Sequence, residues 1–164
     1  MMALKLTKYL PLWIAVWGCV STQTPWIVDT LPGDPDSFGS SRLRYLSAEA
    51  HCPLTFELLK IGDQVEAFVS SVRFRFRGSL AKVILTIDGQ SFEDEIPIHE
   101  GRMRLRLPPR ATQRVIEALQ GGKKIGIVVD DFEETLDPAH FSSLFASFIG
   151  GGQFFESLFK GPVE

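Results

Sequence analysis

Three stretches of this chain alternate apolar residues with arginine, and that alternation restricts the fold more than any other feature. In the first, Leu43 and Tyr45 interleave with Arg42 and Arg44; in the second, Val72, Phe74 and Phe76 interleave with Arg73, Arg75 and Arg77; in the third, Met103, Leu105 and Leu107 interleave with Arg102, Arg104 and Arg106. A period of two puts one residue type on each face of an extended strand, whereas a helix would spread both types around its circumference. Each stretch therefore reads as a strand with one apolar face. Leu80 to Ile87 reads as another, and Asp88-Gly89 beyond it as a two-residue hairpin turn, because glycine tolerates the positive φ that such turns demand. Ser91 to Ile98 is the expected partner strand. A second tight turn at Glu100-Gly101 would lead into the third arginine stretch. It would set His99 opposite Arg102, Pro97 opposite Arg104 and Glu95 opposite Arg106, with Ile96 and Ile98 on the face of Leu105 and Met103.

Beyond this meander the period changes. Pro108 and Pro109 suit a first helical turn, where a missing N–H costs nothing, and Gly121-Gly122 provide the left-handed residue that ends a helix. Ala111, Val115, Ala118 and Leu119 lie on one stripe between them. Lys124 to Val129 reads as a buried strand, and the acidic run Asp130 to Glu134 as a solvated hairpin or loop. Asp137-Pro138 is expected to cap and open a second helix, with Phe141, Leu144, Phe145 and Phe148 at i, i+3, i+4 and i+7. Gly150-Gly151-Gly152 reads as a hinge before an apolar tail of Phe154, Phe155, Leu158 and Phe159. The expected class is mainly β (β+α): an antiparallel β-sandwich-like meander with one or two packed helices.

The N-terminus has a different character. Lys5 and Lys8 precede an uncharged, mostly apolar run from Tyr9 to Trp17. A bilayer-spanning helix needs about 20 apolar residues and a secretory signal core roughly 7 to 15, so the run reads as a signal segment. It closes in Val16-Trp17-Gly18-Cys19, which resembles the lipobox of bacterial lipoproteins. The resemblance implies cleavage before Cys19, acylation of Cys19 with palmitate-type chains, and anchoring to a bacterial cell-envelope membrane, facing the periplasm or the surface. Secretion without lipid, and a plain hydrophobic N-terminal helix with a buried cysteine, are the other readings of these residues. Residues 1–18 are thus expected as signal peptide, 19–41 as a tether or linker rich in turn formers, and 42–164 as a single β-rich domain, with Trp26 as another possible domain start. Cys52 reads as a buried thiol, or else as a partner for an unmodified Cys19 or for another chain.

The order of elements, with the turn Ala118-Leu119-Gln120-Gly121-Gly122-Lys123-Lys124 between a short helix and a hydrophobic strand, and a Phe-rich helix closing the domain, resembles the invasion-associated locus B family of bacterial envelope proteins. The similarity spans roughly Leu80 to Phe148 and implies a non-catalytic β-sandwich.

Function is legible mainly by exclusion. Loss of residues 1–18 removes two lysines and takes the formal charge from −3 to about −5, a balance that does not point to nucleic acid. No Gly-x-Ser-x-Gly elbow or phosphate-cradling glycine loop is present. His51 and Cys52 are adjacent, so on a strand they point to opposite faces and cannot form an activating pair. His51, His99 and His140 are isolated from one another, and Asp130 to Glu134 lack the spacing of a calcium loop. No catalytic residue, metal ligand or cofactor is therefore assigned.

The remaining signal is the arginine set. Were the three stretches neighbours in one sheet, Arg42, Arg44, Arg73, Arg75, Arg77, Arg102, Arg104 and Arg106 would line its outer face and suit carboxylates or phosphates of an envelope lipid, a glycan or an acidic protein partner. The competing expectation is a solvated face neutralised by Glu66, Glu93 and Glu95. The expected function is a non-catalytic binding or structural module of the cell envelope. The rival readings are a small envelope hydrolase and a subunit of an envelope or secretion assembly that docks through Phe154, Phe155, Leu158 and Phe159.

Overall fold

The structure, a computed structural model, describes residues 24–31, 40–47, 54–99 and 101–159, with side chains placed through residue 150. Residues 1–18, expected as a signal segment, and Cys19, His51 and Cys52 lie outside the described residues. So do the side chains of Phe154, Phe155, Leu158 and Phe159, which fall on helical backbone. Among the described residues no helix is long and apolar enough to cross a membrane.

The protein is mainly antiparallel β with two packed helices. One sheet has five strands in the order β1-β2-β3-β4-β7: β1 (Trp26–Leu31), β2 (Ser40–Tyr45), β3 (Leu54–Ile61), β4 (Gln64–Ser71) and β7 (Arg104–Arg106). The other has four in the order β6-β5-β8-β9: β5 (Leu80–Ile87), β6 (Gln90–Pro97), β8 (Ile125–Val129) and β9 (Phe132–Leu136). Their inner faces contribute to one core, with Leu43, Phe56, Leu58 and Leu105 from the first sheet and Val83, Leu85, Ile127 and Leu136 from the second. Helix α1 (Pro109–Gln120) packs against β4 and β8, and α2 (Phe141–Phe159) against β1 and β2.

Local chemistry accounts for the elements that form as expected. Asp88 and Gly89 both take positive φ, 50° and 78°, and Ile87 pairs with Gln90, so the β5–β6 hairpin closes over two residues. Ala111, Val115, Ala118 and Leu119 are buried along α1. Its end is a Schellman cap: Gly122, at φ 74°, donates to the Leu119 carbonyl and Lys123 donates to that of Ala118. Phe141 and Phe148 are fully buried on α2, with Leu144 and Phe145 half-buried beside them.

Six expectations are corrected. The tether expected over residues 19–41 contains a strand: Trp26 is 1% exposed, packs edge-on against Tyr45 and Phe141 with ring centroids 4.9 Å away, and donates from Nε1 to the Asp137 carbonyl at 2.7 Å. The Pro- and Gly-rich stretch that follows, residues 32–39, lies outside the described residues.

Residues 72–77 form no strand. Ser71 Oγ accepts the N–H groups of Arg73 and Phe74 and bends the chain out of β4, leaving Val72 69% exposed, while Phe74 stacks on Phe132 and Phe76 is buried. The apolar alternation survives at Phe74 and Phe76, which meet edge-on with ring centroids 5.3 Å apart, but without a ladder.

The third arginine stretch does not pair with β6. Arg102 N–H does donate to the His99 carbonyl at 3.1 Å, but the chain then crosses to the five-stranded sheet, where Ser70 faces Arg104 and Phe68 faces Arg106. Strand β4 also alternates, with Ala67 and Val69 buried between Glu66, Phe68 and Ser70, and Glu57 on β3 lies one strand beyond it, so polarity matching by itself could not choose between β4 and β6. The crossing lets Leu105 enter the core fully buried.

The second helix begins at Phe141, not at Pro138. Asp137 Oδ1 accepts from Ala139 N–H at 2.8 Å in a preceding turn, and His140 at φ 64° separates that turn from the helix. Gly150 to Gly152 make no hinge, because helical backbone runs through them to Phe159. Finally, β3 and β4, joined across Gly62-Asp63 with Gly62 at φ 59°, occupy a stretch where no element was expected.

Candidate functional site

The eight arginines do not share one face. Four lie on the outer face of the five-stranded sheet, where β3 and β4 separate the pair on β2 from the pair on β7. Register then decides their fate. Asp29 on β1 faces Arg42, and its Oδ2 accepts from Arg42 at 3.2 Å and from Arg44 at 2.8 Å. Burial acts to raise the Asp29 pKa, but the hydrogen bonds and charges of Arg44 and then Arg42 outweigh it, and the carboxyl is held below its ordinary value.

On the other side of the face, Glu57, 8% exposed, accepts from Arg104 at 2.8 Å, and Glu66 accepts from Arg106 at 2.5 Å. The Arg104 guanidinium also lies 3.6 Å from the centroid of the Phe68 ring. Four arginines thus meet three carboxylates. This face is a lattice of internal ion pairs rather than a free cationic surface. Glu66 was expected to serve in this way; Asp29 and Glu57 were not, and Glu93 pairs instead with Lys82 at 2.8 Å.

Arg102 serves the backbone. At φ 53° it donates from Nε to the Phe76 carbonyl at 3.0 Å and from Nη2 to that of Gly78 at 2.8 Å, while its own carbonyl accepts from Phe76 N–H. It thereby fixes the irregular segment that carries Arg75 and Arg77. Arg73 leads into that segment from the bend at Ser71 and is engaged in a contact of its own.

Arg75 and Arg77 are placed differently. With Lys82 they line an open groove of about 660 Å³ on the four-stranded sheet. Its floor is Ile84 and Val128, which face each other across β5 and β8, and its wall is the stacked pair Phe74 and Phe132, with ring centroids 4.2 Å apart. Asp130 and Asp131, in the β8–β9 turn, line it as well. No carboxylate among the described residues forms an ion pair with Arg75 or Arg77, and no cation pairs with Asp130 or Asp131.

A second, smaller cavity of about 340 Å³ lies between α1 and the β5–β6 hairpin, where Glu117 accepts from Gln113 at 2.8 Å. There Lys123 pairs with Asp88 at 2.8 Å, and Arg114 stacks 3.9 Å over the Phe92 ring.

Within the expected arginine set, then, the structure joins Arg75 and Arg77 to a groove and commits Arg42, Arg44, Arg102, Arg104 and Arg106 to the fold. Sequence reasoning missed Lys82, the Phe74–Phe132 stack, the apolar floor and the acidic turn as parts of one site. They come from three separated segments, and only the period-two pattern at Arg75 and Arg77 pointed toward it. Among the described residues no group of three His, Cys, Asp or Glu side chains could hold a metal ion. Comparison with protein-family models, with curated proteins and with solved structures finds no match.

Proposed function

We propose that this protein is a non-catalytic binding module of the bacterial cell envelope, tethered by lipid on Cys19, that holds an anionic ligand at Arg75 and Arg77. One observation carries the reading: these two guanidinium groups line an open groove without a carboxylate partner among the described residues, while four other arginines on the five-stranded sheet are each matched to an acid. A guanidinium fork holds two oxygens of one phosphate or carboxylate at once, and an anion here would displace no internal ion pair of Arg75 or Arg77. The groove stands on a buried sheet and on a segment pinned by Arg102, so the ligand meets a preformed surface.

The test is co-sedimentation of the full chain with phosphatidylglycerol-containing vesicles, with vesicles of an uncharged, phosphate-free galactolipid as reference. Binding should be selective for the anionic vesicles and fall about tenfold in the Arg75→Gln/Arg77→Gln variant. Equal binding by the variant and the parent would remove this site from consideration. Metabolic labelling with a fatty-acid analogue tests the tether, since the label should be lost with Cys19→Ser.

A further inference from the structure

The groove carries charge of both signs, and that narrows its ligand. Lys82 is already bound to Glu93, so the uncommitted charges among its lining residues are Arg75 and Arg77 on one hand and Asp130 and Asp131 on the other. Opposite charges at a protein surface form an ion pair when N and O lie within about 4 Å. Here all four line one cavity, and no pair forms between them. The floor beneath them is aliphatic, because Ile84 and Val128 stand opposite each other on adjacent strands and both are half-buried.

We infer that the groove takes a dipolar phospho-amine: a phosphate held by Arg75 and Arg77, an ammonium group facing Asp130 and Asp131, and the intervening and attached carbons resting on Ile84 and Val128. The inference rests on the anionic-ligand reading above and adds the cationic end. A simple anion would satisfy the arginines and leave the two carboxylates repelling it; a ligand with an ammonium a few bonds from its phosphate satisfies both. The aliphatic floor and the Phe74–Phe132 wall favour a head group that still carries its hydrocarbon, as an ethanolamine phospholipid does.

Calorimetric titration of the full chain with dihexanoyl phosphatidylethanolamine, dihexanoyl phosphatidylglycerol and free phosphoethanolamine separates the possibilities. The ethanolamine lipid should bind about tenfold more tightly than the glycerol lipid, and this preference should vanish in Asp130→Asn/Asp131→Asn. Asparagine tolerates the positive φ of 52° at position 130, so the turn is retained, and an unchanged circular-dichroism melt checks it. Equal affinity for the two lipids in the parent chain, with binding still lost in Arg75→Gln/Arg77→Gln, would overturn the dipolar ligand and leave the anion site standing. Binding of neither lipid, or binding indifferent to the arginine changes, would overturn both. Free phosphoethanolamine binding more weakly than its dihexanoyl form assigns a lipid, and equal binding assigns the free head group; either keeps the dipolar chemistry.

Discussion

Arginine occupies the outer faces of both sheets, and the two faces use it in opposite ways. On the five-stranded sheet, Asp29, Glu57 and Glu66 interleave with Arg42, Arg44, Arg104 and Arg106, and each guanidinium closes onto a carboxylate within 3.2 Å. On the four-stranded sheet, Arg75 and Arg77 arrive from an irregular segment, not from a strand of that sheet, and line a groove without forming an ion pair to any acid among the described residues. Register brings opposed residues on neighbouring strands within about 5.5 Å, and a long arginine such as Arg104 on β7 reaches over β4 to Glu57 on β3, so charges planted along one sheet face satisfy one another. A segment laid across a sheet has no register to obey. The arginines held by a ladder became structure; of those outside one, Arg102 pins the backbone, and Arg75 and Arg77 form no ion pair among the described residues.

That contrast can be broken in order of expected effect. Both faces are taken to rest on one core, and Trp26 ties the five-stranded sheet to α2 and to the end of β9 through Phe141 and the Asp137 carbonyl. Trp26→Ala should cost about 3–5 kcal/mol and lower a single denaturant transition. Two separate transitions would make the faces independent and dissolve the comparison.

The next effect concerns the lattice alone. Glu57 is nearly buried and accepts from Arg104 and from Ser70, so Glu57→Ala should cost about 1–3 kcal/mol, discounted because Arg104 is itself about half exposed. Arg75→Gln/Arg77→Gln should stay within about 0.5 kcal/mol of the parent, since both residues are exposed and unpaired. Equal losses from the two variants in urea titrations would show that the groove arginines are structural after all.

The smallest effect sharpens the lattice through pH. Because Asp29 has a lowered pKa in the folded chain, its ion pairs contribute stability above the ordinary carboxylate pKa of about 3.9, and that contribution fades as pH falls through the depressed folded value. Asp29→Asn should therefore lower stability at pH 7 yet lose less of what remains between about pH 4 and pH 2. An acid limb unchanged by the substitution would mean that Arg42 and Arg44 gain nothing from Asp29. No such limb is expected from the groove, where the arginines face no bound carboxylate.

How far the sequence could be read follows the range of each interaction. The β5–β6 hairpin was legible because Asp88-Gly89 and the alternation beside it are local signals, and α1 was legible from Pro109, its apolar stripe and Gly122. Strand β3 was not, although Leu54, Phe56 and Leu58 alternate with Thr55 and Glu57: the alternation breaks at Leu58-Leu59, and the partner strand β4 is polar at Gln64 and Glu66 and ends in Ser70-Ser71. Trp26 to Leu31 looked like tether because a short strand followed by proline and glycine has nothing nearby to pair with, and its partner Ser40 to Tyr45 lies beyond that stretch.

The period-two and helical patterns by themselves determined that this chain would be an antiparallel β protein with two helices, since periodicity dictates which face of each element must leave water. Only the tertiary structure decided that Arg104 would meet Glu57 instead of crossing to β6, and that Arg75 and Arg77 would share a groove with Lys82, Asp130 and Asp131. A charge reaches only its spatial neighbours, and those are set by strand order, to which a pattern of alternation is indifferent.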